Sequence, residues 1–420
     1  MRVGIEAIHP YAAPTYISVR ELFEQRKLDL SRFDNLMMRK KAVALPCEDP
    51  VTHAVNAAKP IVQRLSDAQR NRIELVVLAT ESGIDFGKAM SSYVHQILEL
   101  PKSCRTFETK HACYAGTAAL QMAAAFVRSG ASPGAKALVI ATDVASALDE
   151  KSVEILTAAG GAYHEPSGGT GAVAMLVGEE PNILELDAGA HGFHSYEVMD
   201  TCRPVTDHEI GDPDLSLLSY IDCLEGSFAD YARRVEGADY VDTFDYIAYH
   251  TPFAGMVKGA HRKMMRKHKG ASPDEIEDDF EARVAPSLKY CVEVGNVYSA
   301  TVFLALCGVV ANSTSGARKR VGMFSYGSGC SSEFYSGILS ADAHALLGAL
   351  EVDAALAARH ELSFEEYKEL QSGNAEMHFG IRDLKLDTAG YGELFEKQLQ
   401  GKGYLVLDRI ERFHREYRWS

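Results

Sequence analysis

The sequence predicts an α/β fold with largely buried sheets, and three observations support this. Short runs rich in β-branched residues alternate with longer amphipathic stretches, as in proteins whose helices cover both faces of a sheet. Two stretches are apolar on nearly every face, and the two halves of the chain share a similar succession of elements. We therefore expect two fused, pseudo-duplicated halves in one body.

The predicted strands are short apolar runs without alternating polar residues. Such runs are typical of strands that are covered on both faces. Between them, apolar residues at helical spacing predict helices, for example over 50–65. The strands are predicted at 73–79, 137–141, 172–177, 246–248 and 321–325. The charged segment 409–419 is instead predicted to be a helix or a surface tail.

Two predicted helices are unusual because they have almost no polar face. Segments 113–127 and 296–310 are apolar all round and rich in small residues, so we expect both to be buried and closely packed. Each begins with a polar residue, Cys113 or Asn296, and a strand and a Gly/Ser-rich segment follow. This repetition predicts halves at 1–180 and 181–420.

Composition narrows the classes of function. The 420 residues are 46% hydrophobic with a net charge of −15. An acidic surface repels phosphate, which argues against nucleic-acid binding. There is no signal-peptide pattern, and no apolar run approaches the roughly 20 residues that span a bilayer, so we expect a cytoplasmic protein without membrane contact. Eight scattered cysteines without CxxC spacing predict free thiols and no metal site.

Cys113 is the candidate nucleophile. It lies at the start of a predicted buried helix, where the helix dipole favours a thiolate. Free N–H groups there can also hold an oxyanion. A small core residue at a helix start would give the same pattern, so the position alone leaves both interpretations open.

Glu81 and His250 strengthen the catalytic interpretation. Each follows a strand-like run, and ligand sites in α/β proteins lie at the carboxyl ends of strands. An apolar setting there would raise the pKa of Glu81 and suit it to proton transfer. Alone, Glu81 could cap a helix and His250 could be structural. Together with Cys113, they favour a catalytic site.

Five motifs in order resemble the HMG-CoA synthase family. They are Glu81 in ESGID, Cys113 in ACYAGT, His250 in HTPF, Asn296 in GNVYSA and Ser328 in SYGSG. The resemblance implies a thiolase-like condensing-enzyme fold with αβαβα layers, usually dimeric. It also implies catalytic roles for Glu81, Cys113 and His250, and substrate binding by Asn296 and Ser328.

Within this family, the chain most resembles the HMG-synthase-like enzymes of polyketide β-branching. Gly255 stands where primary-metabolism synthases usually carry a lysine after the HxPF motif. Segments 31–38, 45–51, 198–204 and 416–419 also match the branching group. The chain departs from expectation at Ala147, where primary synthases have tyrosine, at His111 and over 149–162.

The resemblance implies a ping-pong acyltransferase that needs no metal or redox cofactor. Cys113 would take an acetyl group from a donor acyl carrier protein, and Glu81 would convert it to an enolate. The enolate would add to the β-keto carbon of a polyketide on an acceptor carrier within a polyketide synthase module. Water would then release Cys113. His250 would orient the reacting groups, and backbone N–H groups of Cys113 and Ser328 would stabilise the enolate oxygen.

Carrier proteins are acidic and present a phosphopantetheine, so this acidic chain needs local basic sites. Lys258, Arg262 and Arg266 are spaced by four and share one helical face. Arg32 belongs to a second basic cluster near the N-terminus. We expect these four residues to contact carriers, although an ordinary solvated helix face would show the same spacing.

Two other functions fit parts of the pattern. One is an HMG-CoA synthase of mevalonate metabolism, which would use acetyl-CoA and acetoacetyl-CoA; Gly255 and its surroundings argue against it. The other is a non-catalytic scaffold that only binds carriers. A decayed enzyme should lose its reactive residues first, and Glu81, Cys113 and His250 are all present.

Overall fold

The structure, a computed structural model, describes residues 1–145, 164–205, 208–313, 316, 318–377, 379–387 and 390–420. Ala147 and segment 149–162, where the family resemblance is weakest, lie outside these residues. Within the described residues, no helix is long and apolar enough to cross a membrane.

The strands and helices are numbered in chain order. The strands are β1 Gly4–Ala12, β2 Thr15–Ser18, β3 Lys40–Val43, β4 Ile73–Ala79, β5 Arg105–Thr109, β6 Lys136–Asp143, β7 Gly171–Gly178, β8 Leu184–Ser195, β9 Thr201–Val205, β10 His208–Gly211, β11 Tyr246–Tyr249, β12 Lys319–Gly327, β13 Ser331–Leu339, β14 His360–Glu361, β15 Leu384–Lys385, β16 Leu405–Glu411 and β17 His414–Trp419. The α-helices are α1 Val19–Gln25, α2 Phe33–Leu36, α3 Pro50–Val62, α4 Asp67–Arg70, α5 Ser91–Ile97, α6 Ala115–Arg128, α7 His164–Ser167, α8 Pro213–Arg234, α9 Ala254–Lys269, α10 Pro273–Asp279, α11 Ala285–Val294, α12 Thr301–Asn312, α13 Ala343–Gly348, α14 Val352–Ala357, α15 Phe364–Ala375 and α16 Gly392–Gln398. Short 3₁₀ turns lie at Leu30–Arg32 and Tyr298–Ala300, and a π-helical turn lies at Phe280–Val284.

The main sheet is mixed and has nine strands, in the order β11-β12-β13-β8-β1-β7-β6-β4-β5. The strands β4 and β6 pair in parallel, and β6-β7-β1 continue antiparallel. In the second half, β11 and β12 pair in parallel and β12-β13-β8 continue antiparallel. The two series join where the starts of β1 and β8 pair. The sheet therefore repeats one pattern of pairing on both sides of this junction.

Alternating side chains divide the structure into five layers. In β4, Val77 and Ala79 pack in the central core with α6 and α12, whereas Val76 and Leu78 pack outward with α3 and α5. In β12, Met323 faces the central core, while the next residue along the strand faces α8 and α9. Because successive strand residues point to opposite faces, each series of strands is covered by α6 and α12 on its inner face and by other helices on its outer face. The two series therefore form two β layers, and the order of layers is αβαβα. The predicted layered fold is confirmed.

Glycine lets the two central helical segments meet. A Cβ on Gly116 in α6 would lie 2.3 Å from the Ser299 carbonyl oxygen and 2.8 Å from the Phe303 ring. The predicted close packing of these segments is therefore correct, and it requires the absence of a side chain at position 116.

The predicted strands are confirmed within one or two residues at each end. The prediction for the C-terminus was wrong, because segment 409–419 was expected to be a charged helix or surface tail. It instead contributes to a hairpin of β16 and β17, which pairs with β15. The hairpin shows no clear alternation, because its first strand, β16, buries the adjacent Val406 and Leu407 together.

We predict that Gly116→Val destabilises the protein by about 1–3 kcal/mol, because an overpacked core must shift backbone or rotamers. Urea unfolding would measure the loss. Ala125→Val, at an exposed position of the same helix, is the control and should cost less than about 1 kcal/mol. Equal losses would contradict the packing argument.

Candidate active site

The residues predicted to act in catalysis and substrate binding line one cavity of about 1030 Å³. Glu81 and Cys113 come from the first half of the chain, and His250, Asn296 and Ser328 from the second. The cavity therefore brings together side chains separated by more than two hundred positions. Its volume is sufficient for an acyl group on an extended arm.

Cys113 lies two residues before α6, with Tyr114 as the N-cap. The preceding residue, Ala112, has a φ of 43°, which is a strained conformation for a residue with a side chain. The end of β12 lies against this turn: a Cβ on Gly327 would be only 2.6 Å from the His111 oxygen and the Tyr114 nitrogen. The Ser328 loop is thereby held beside the nucleophile.

The Cys113 thiol donates to Glu81, with 3.6 Å between Sγ and Oε2. Burial raises the pKa of the Cys113 thiol well above its ordinary value, and the negative charge of Glu81 adds to this increase. The expectation that the helix terminus favours a resting thiolate is therefore wrong. The dipole effect is small, about 1 kcal/mol, whereas burial strongly opposes the charged form of the thiol.

Asp143, at the end of β6, holds the segment that presents Glu81. Its Oδ1 accepts from Thr80 Oγ1 at 2.8 Å, from Glu81 N at 2.8 Å and from Ser82 N at 3.0 Å. Its Oδ2 accepts from Ser299 N at 2.9 Å. One fully buried carboxylate thus connects β4, β6 and the turn that leads into α12.

Burial also controls the protonation of Glu81. Desolvation raises the pKa of its carboxyl group to about 8, although the nearby Arg203 opposes the increase. Asp143 and Glu209 add smaller increases through their negative charges. The predicted increase is confirmed, and it gives a carboxyl group that can both accept and return a proton near neutral pH.

His250 is fixed by its backbone and is neutral. Its N–H donates to the Phe324 oxygen at 2.7 Å, and its carbonyl accepts from Tyr220 Oη at 2.7 Å. Burial lowers the pKa of the imidazole to about 3. Its Nδ1 is buried and makes no hydrogen bond within the described part of the chain. A neutral imidazole in the cavity can donate from one nitrogen and accept at the other.

Asn296 presents its amide to the cavity. Its Oδ1 accepts from Tyr298 N at 3.0 Å and from Thr301 Oγ1 at 2.8 Å. The amide Nδ2 is therefore the group that can donate to a substrate carbonyl. Asn296 was expected to begin the second central helix, but α12 begins at Thr301 and a 3₁₀ turn intervenes.

The four basic residues predicted to contact carriers lie in different surroundings. Arg32 lines the cavity. Lys258 is half-buried on α9 and pairs with Glu277 at 2.6 Å, outside the cavity lining. Arg262 and Arg266 are exposed on the same helix.

Comparison with known proteins assigns the chain to a family. Residues 1–182 match the model of the hydroxymethylglutaryl-coenzyme A synthase N-terminal domain, and residues 266–418 match that of the C-terminal domain. The chain is 51% identical over 99% of both sequences to the polyketide biosynthesis 3-hydroxy-3-methylglutaryl-ACP synthase PksG of Bacillus subtilis. The chain belongs to the HMG-CoA synthase family.

Two further relatives show where in this family the chain lies. The solved structure of the curacin biosynthetic pathway HMG synthase in complex with acetyl donor-ACP matches 100% of both chains, with a TM-score of 0.95 and 51% identity. The hydroxymethylglutaryl-CoA synthase of Enterococcus faecalis is 34% identical over 88% of this chain and 91% of its own. Similarity to the polyketide enzymes is thus considerably higher.

The polar groups that surround Glu81 in this HMG-CoA synthase family member were not predicted from the sequence. Asp143 lies two residues after the predicted strand 137–141, just as Thr80 and Glu81 follow the predicted strand 73–79, so its position was an available signal. Arg203 was noted only as part of a family motif, and its contact with Glu81 at 3.5 Å had no signal in the spacing. The pairing of β9 with β10, which sets Arg203 beside Glu209, is not visible in the sequence.

We predict that Asp143→Asn lowers the free energy of unfolding by about 3 kcal/mol. In either orientation the new amide nitrogen would face at least one backbone N–H, of Glu81, Ser82 or Ser299. Urea unfolding would measure the change. Asp278→Asn, at an exposed position, should stay within about 0.5 kcal/mol of the parent, and a similar small effect at Asp143 would refute the role assigned to it.

Proposed function

We propose that this chain is a 3-hydroxy-3-methylglutaryl-ACP synthase-type acyltransferase of polyketide β-branching. The observation that carries the proposal is the Cys113 thiol paired with the Glu81 carboxyl group in one cavity. The full-length similarity to enzymes named for this reaction supports it. Cys113, Glu81 and His250 are its catalytic residues.

The first step transfers an acetyl group to Cys113. The Cys113 sulfur attacks the thioester carbon on the donor carrier, and the bond to the phosphopantetheine sulfur breaks. Since the thiol is buried and protonated, it must lose its proton as it attacks. Glu81 Oε2 is positioned to take that proton and return it to the departing phosphopantetheine thiolate.

The second step forms the carbon–carbon bond. Glu81 removes a proton from the methyl group of acetyl-Cys113, and backbone N–H groups of Cys113 and Ser328 stabilise the enolate oxygen. The enolate carbon adds to the β-keto carbon of the acceptor. Protonated Glu81 then gives its proton to the new alkoxide, so the same carboxyl group acts first as base and then as acid.

The neutral donors of the cavity bind the acceptor. His250 and the Asn296 amide can each donate to a substrate carbonyl without adding charge to the cavity. Water then hydrolyses the thioester on Cys113, which restores the thiol and leaves a carboxylate on the product. The product, a 3-hydroxy-3-methylglutaryl-type group, stays on the acceptor carrier.

The surroundings of Gly255 favour carrier substrates over coenzyme A. A Cβ at this position would lie 1.7 Å from the Asn35 carbonyl oxygen. The lysine that primary-metabolism synthases carry there therefore could not be accommodated unless α2 moved. Asn35 lines the cavity and belongs to segment 31–38, which also matches the branching enzymes. The two features that resemble the branching group, Gly255 and segment 31–38, are therefore in direct contact.

We further propose the wider assembly. Donor and acceptor carriers of a polyketide synthase module would contact Arg32, Lys258, Arg262 and Arg266, and the enzyme would act as a homodimer without a bound cofactor. The halves 1–180 and 181–420 would be its two structural units. The division falls between β7, which ends at Gly178, and β8, which begins at Leu184.

We predict that acetyl-carrier protein adds one acetyl group to the enzyme and that Cys113→Ala abolishes the addition, because the sulfur is the acceptor. Intact-protein mass spectrometry would measure it. Cys307→Ala, at a buried thiol outside the cavity, is the matched control and should still load. Equal or faster loading from acetyl-CoA would overturn the carrier assignment and favour a CoA-dependent synthase.

We predict that Glu81→Gln still acetylates, more slowly, but loses condensation by at least about 100-fold. In the parent enzyme, condensation should rise with pH and level off above about pH 8, because the base must be ionised and burial raises the pKa of Glu81 to about 8. His250 should add no change above pH 5, since its pKa is lowered to about 3. Single-turnover rates from pH 6 to 9 would measure the profile.

A flat profile over that range would contradict Glu81 as the base. So would normal condensation by Glu81→Gln. Glu369→Gln, at a surface position outside the cavity, is the control and should keep the parent profile.

A further inference from the structure

Arg203 is a nearly buried cation beside the catalytic carboxyl group. Its side chain is 6% exposed, and its Nη2 lies 3.5 Å from Glu81 Oε1. The other oxygen of the same carboxyl group, Oε2, accepts from the Cys113 thiol. The Glu81 carboxyl group therefore has one oxygen toward a cation and the other toward the nucleophile.

Other contacts fix the guanidinium independently of Glu81. Its Nη2 donates to Glu209 Oε2 at 3.0 Å, and its Nη1 donates to Ser82 Oγ at 3.0 Å. Its Cζ also lies 4.7 Å from the centre of the Tyr298 ring, and Tyr298 Oη donates to Glu209 at 2.9 Å. The guanidinium cannot move toward Glu81 without loosening these contacts.

Glu209 and Glu81 therefore share one cation. The shorter contact goes to Glu209 at 3.0 Å, and the longer one to Glu81 at 3.5 Å. A bidentate Arg–carboxylate pair would hold Glu81 permanently ionised. The arrangement instead gives a weak contact that orients the carboxyl group and leaves it able to accept and release a proton.

We propose that Arg203 is a positioning residue that holds Glu81 Oε1 and directs Oε2 to the acyl group on Cys113, with Glu209 limiting how strongly it does so. This inference rests on the proposed function. It assigns roles to two residues outside the reacting atoms and explains why an arginine and a second carboxylate accompany the catalytic glutamate.

The charged and titratable groups that face Glu81 predict the direction of each effect. Arg203 on β9 lowers the pKa of Glu81, whereas Glu209 on β10 and Asp143 on β6 raise it. Cys113 donates to Glu81, and Tyr298 contacts both Arg203 and Glu209. His250 and His164 line the same cavity. Removing Arg203 should therefore favour protonated Glu81, and removing Glu209 should favour the carboxylate.

The test measures deuterium exchange into the methyl group of acetyl-Cys113 as a function of pH. Each enzyme is loaded with acetyl-carrier protein and transferred to D₂O, and the acetylated peptide is analysed by mass spectrometry. Arg203→Gln should shift the rise in exchange rate to higher pH by about one unit or more, which is about tenfold slower exchange at pH 7. Glu209→Gln should shift the rise to lower pH.

Two further variants separate positioning from stability. Arg203→Lys keeps the charge and should recover part of the parent profile, but a single ammonium cannot replace the planar contacts. Arg359→Gln removes another buried guanidinium, which packs on Tyr16 outside the cavity, and should leave the profile unchanged. All variants are compared by thermal unfolding.

The outcomes distinguish the two proposals. If the parent enzyme does not acetylate at Cys113, the proposed function fails. If it acetylates but Arg203→Gln exchanges with the parent profile, the inference about Arg203 fails alone. A uniform loss of rate without a pH shift, and without rescue by lysine, would also overturn it and indicate a structural role.

Discussion

The buried carboxylate of Asp143 is the constraint on which the active site depends. It accepts hydrogen bonds from the segment after β4 and from the turn before α12, so it joins the two halves of the chain behind Glu81. An uncompensated charge at such a position would be very costly. Asp143 is therefore stable at this position only when the N–H groups of Glu81, Ser82 and Ser299 all donate to it. This requirement fixes the segment that presents Glu81 more firmly than surface loops are usually fixed.

A second consequence of burial is that the cavity carries little net charge at rest. The Cys113 thiol keeps its proton, His250 is neutral, and the pKa of Glu81 is raised to about 8. The positive charge of Arg203 is paired with Glu209 at 3.0 Å and lies 3.5 Å from Glu81. Such a site suits a reaction in which one carboxyl group must take a proton and give it back, because neither form is strongly favoured near neutral pH.

Three glycines let separate parts of the chain approach the reacting atoms. Gly116 lets α6 meet the turn before α12, Gly327 brings the Ser328 loop onto the Cys113 turn, and Gly255 admits α2 beside the cavity. In each case a side chain would lie within 3 Å of backbone atoms.

The sequence by itself determined the α/β class, the main strands of the sheet and the candidate catalytic and substrate-binding residues of the cavity. Periodicity and burial fix strands such as β4 almost to the residue, and reactive side chains at strand ends identify Glu81, Cys113 and His250. The C-terminal hairpin was missed because its strands do not alternate clearly. The raised pKa of the Cys113 thiol, the lowered pKa of His250 and the Arg203–Glu209 pair were decided only by tertiary structure. Desolvation and charge pairing depend on distances between residues far apart in the chain, and local sequence patterns contain no information about those distances.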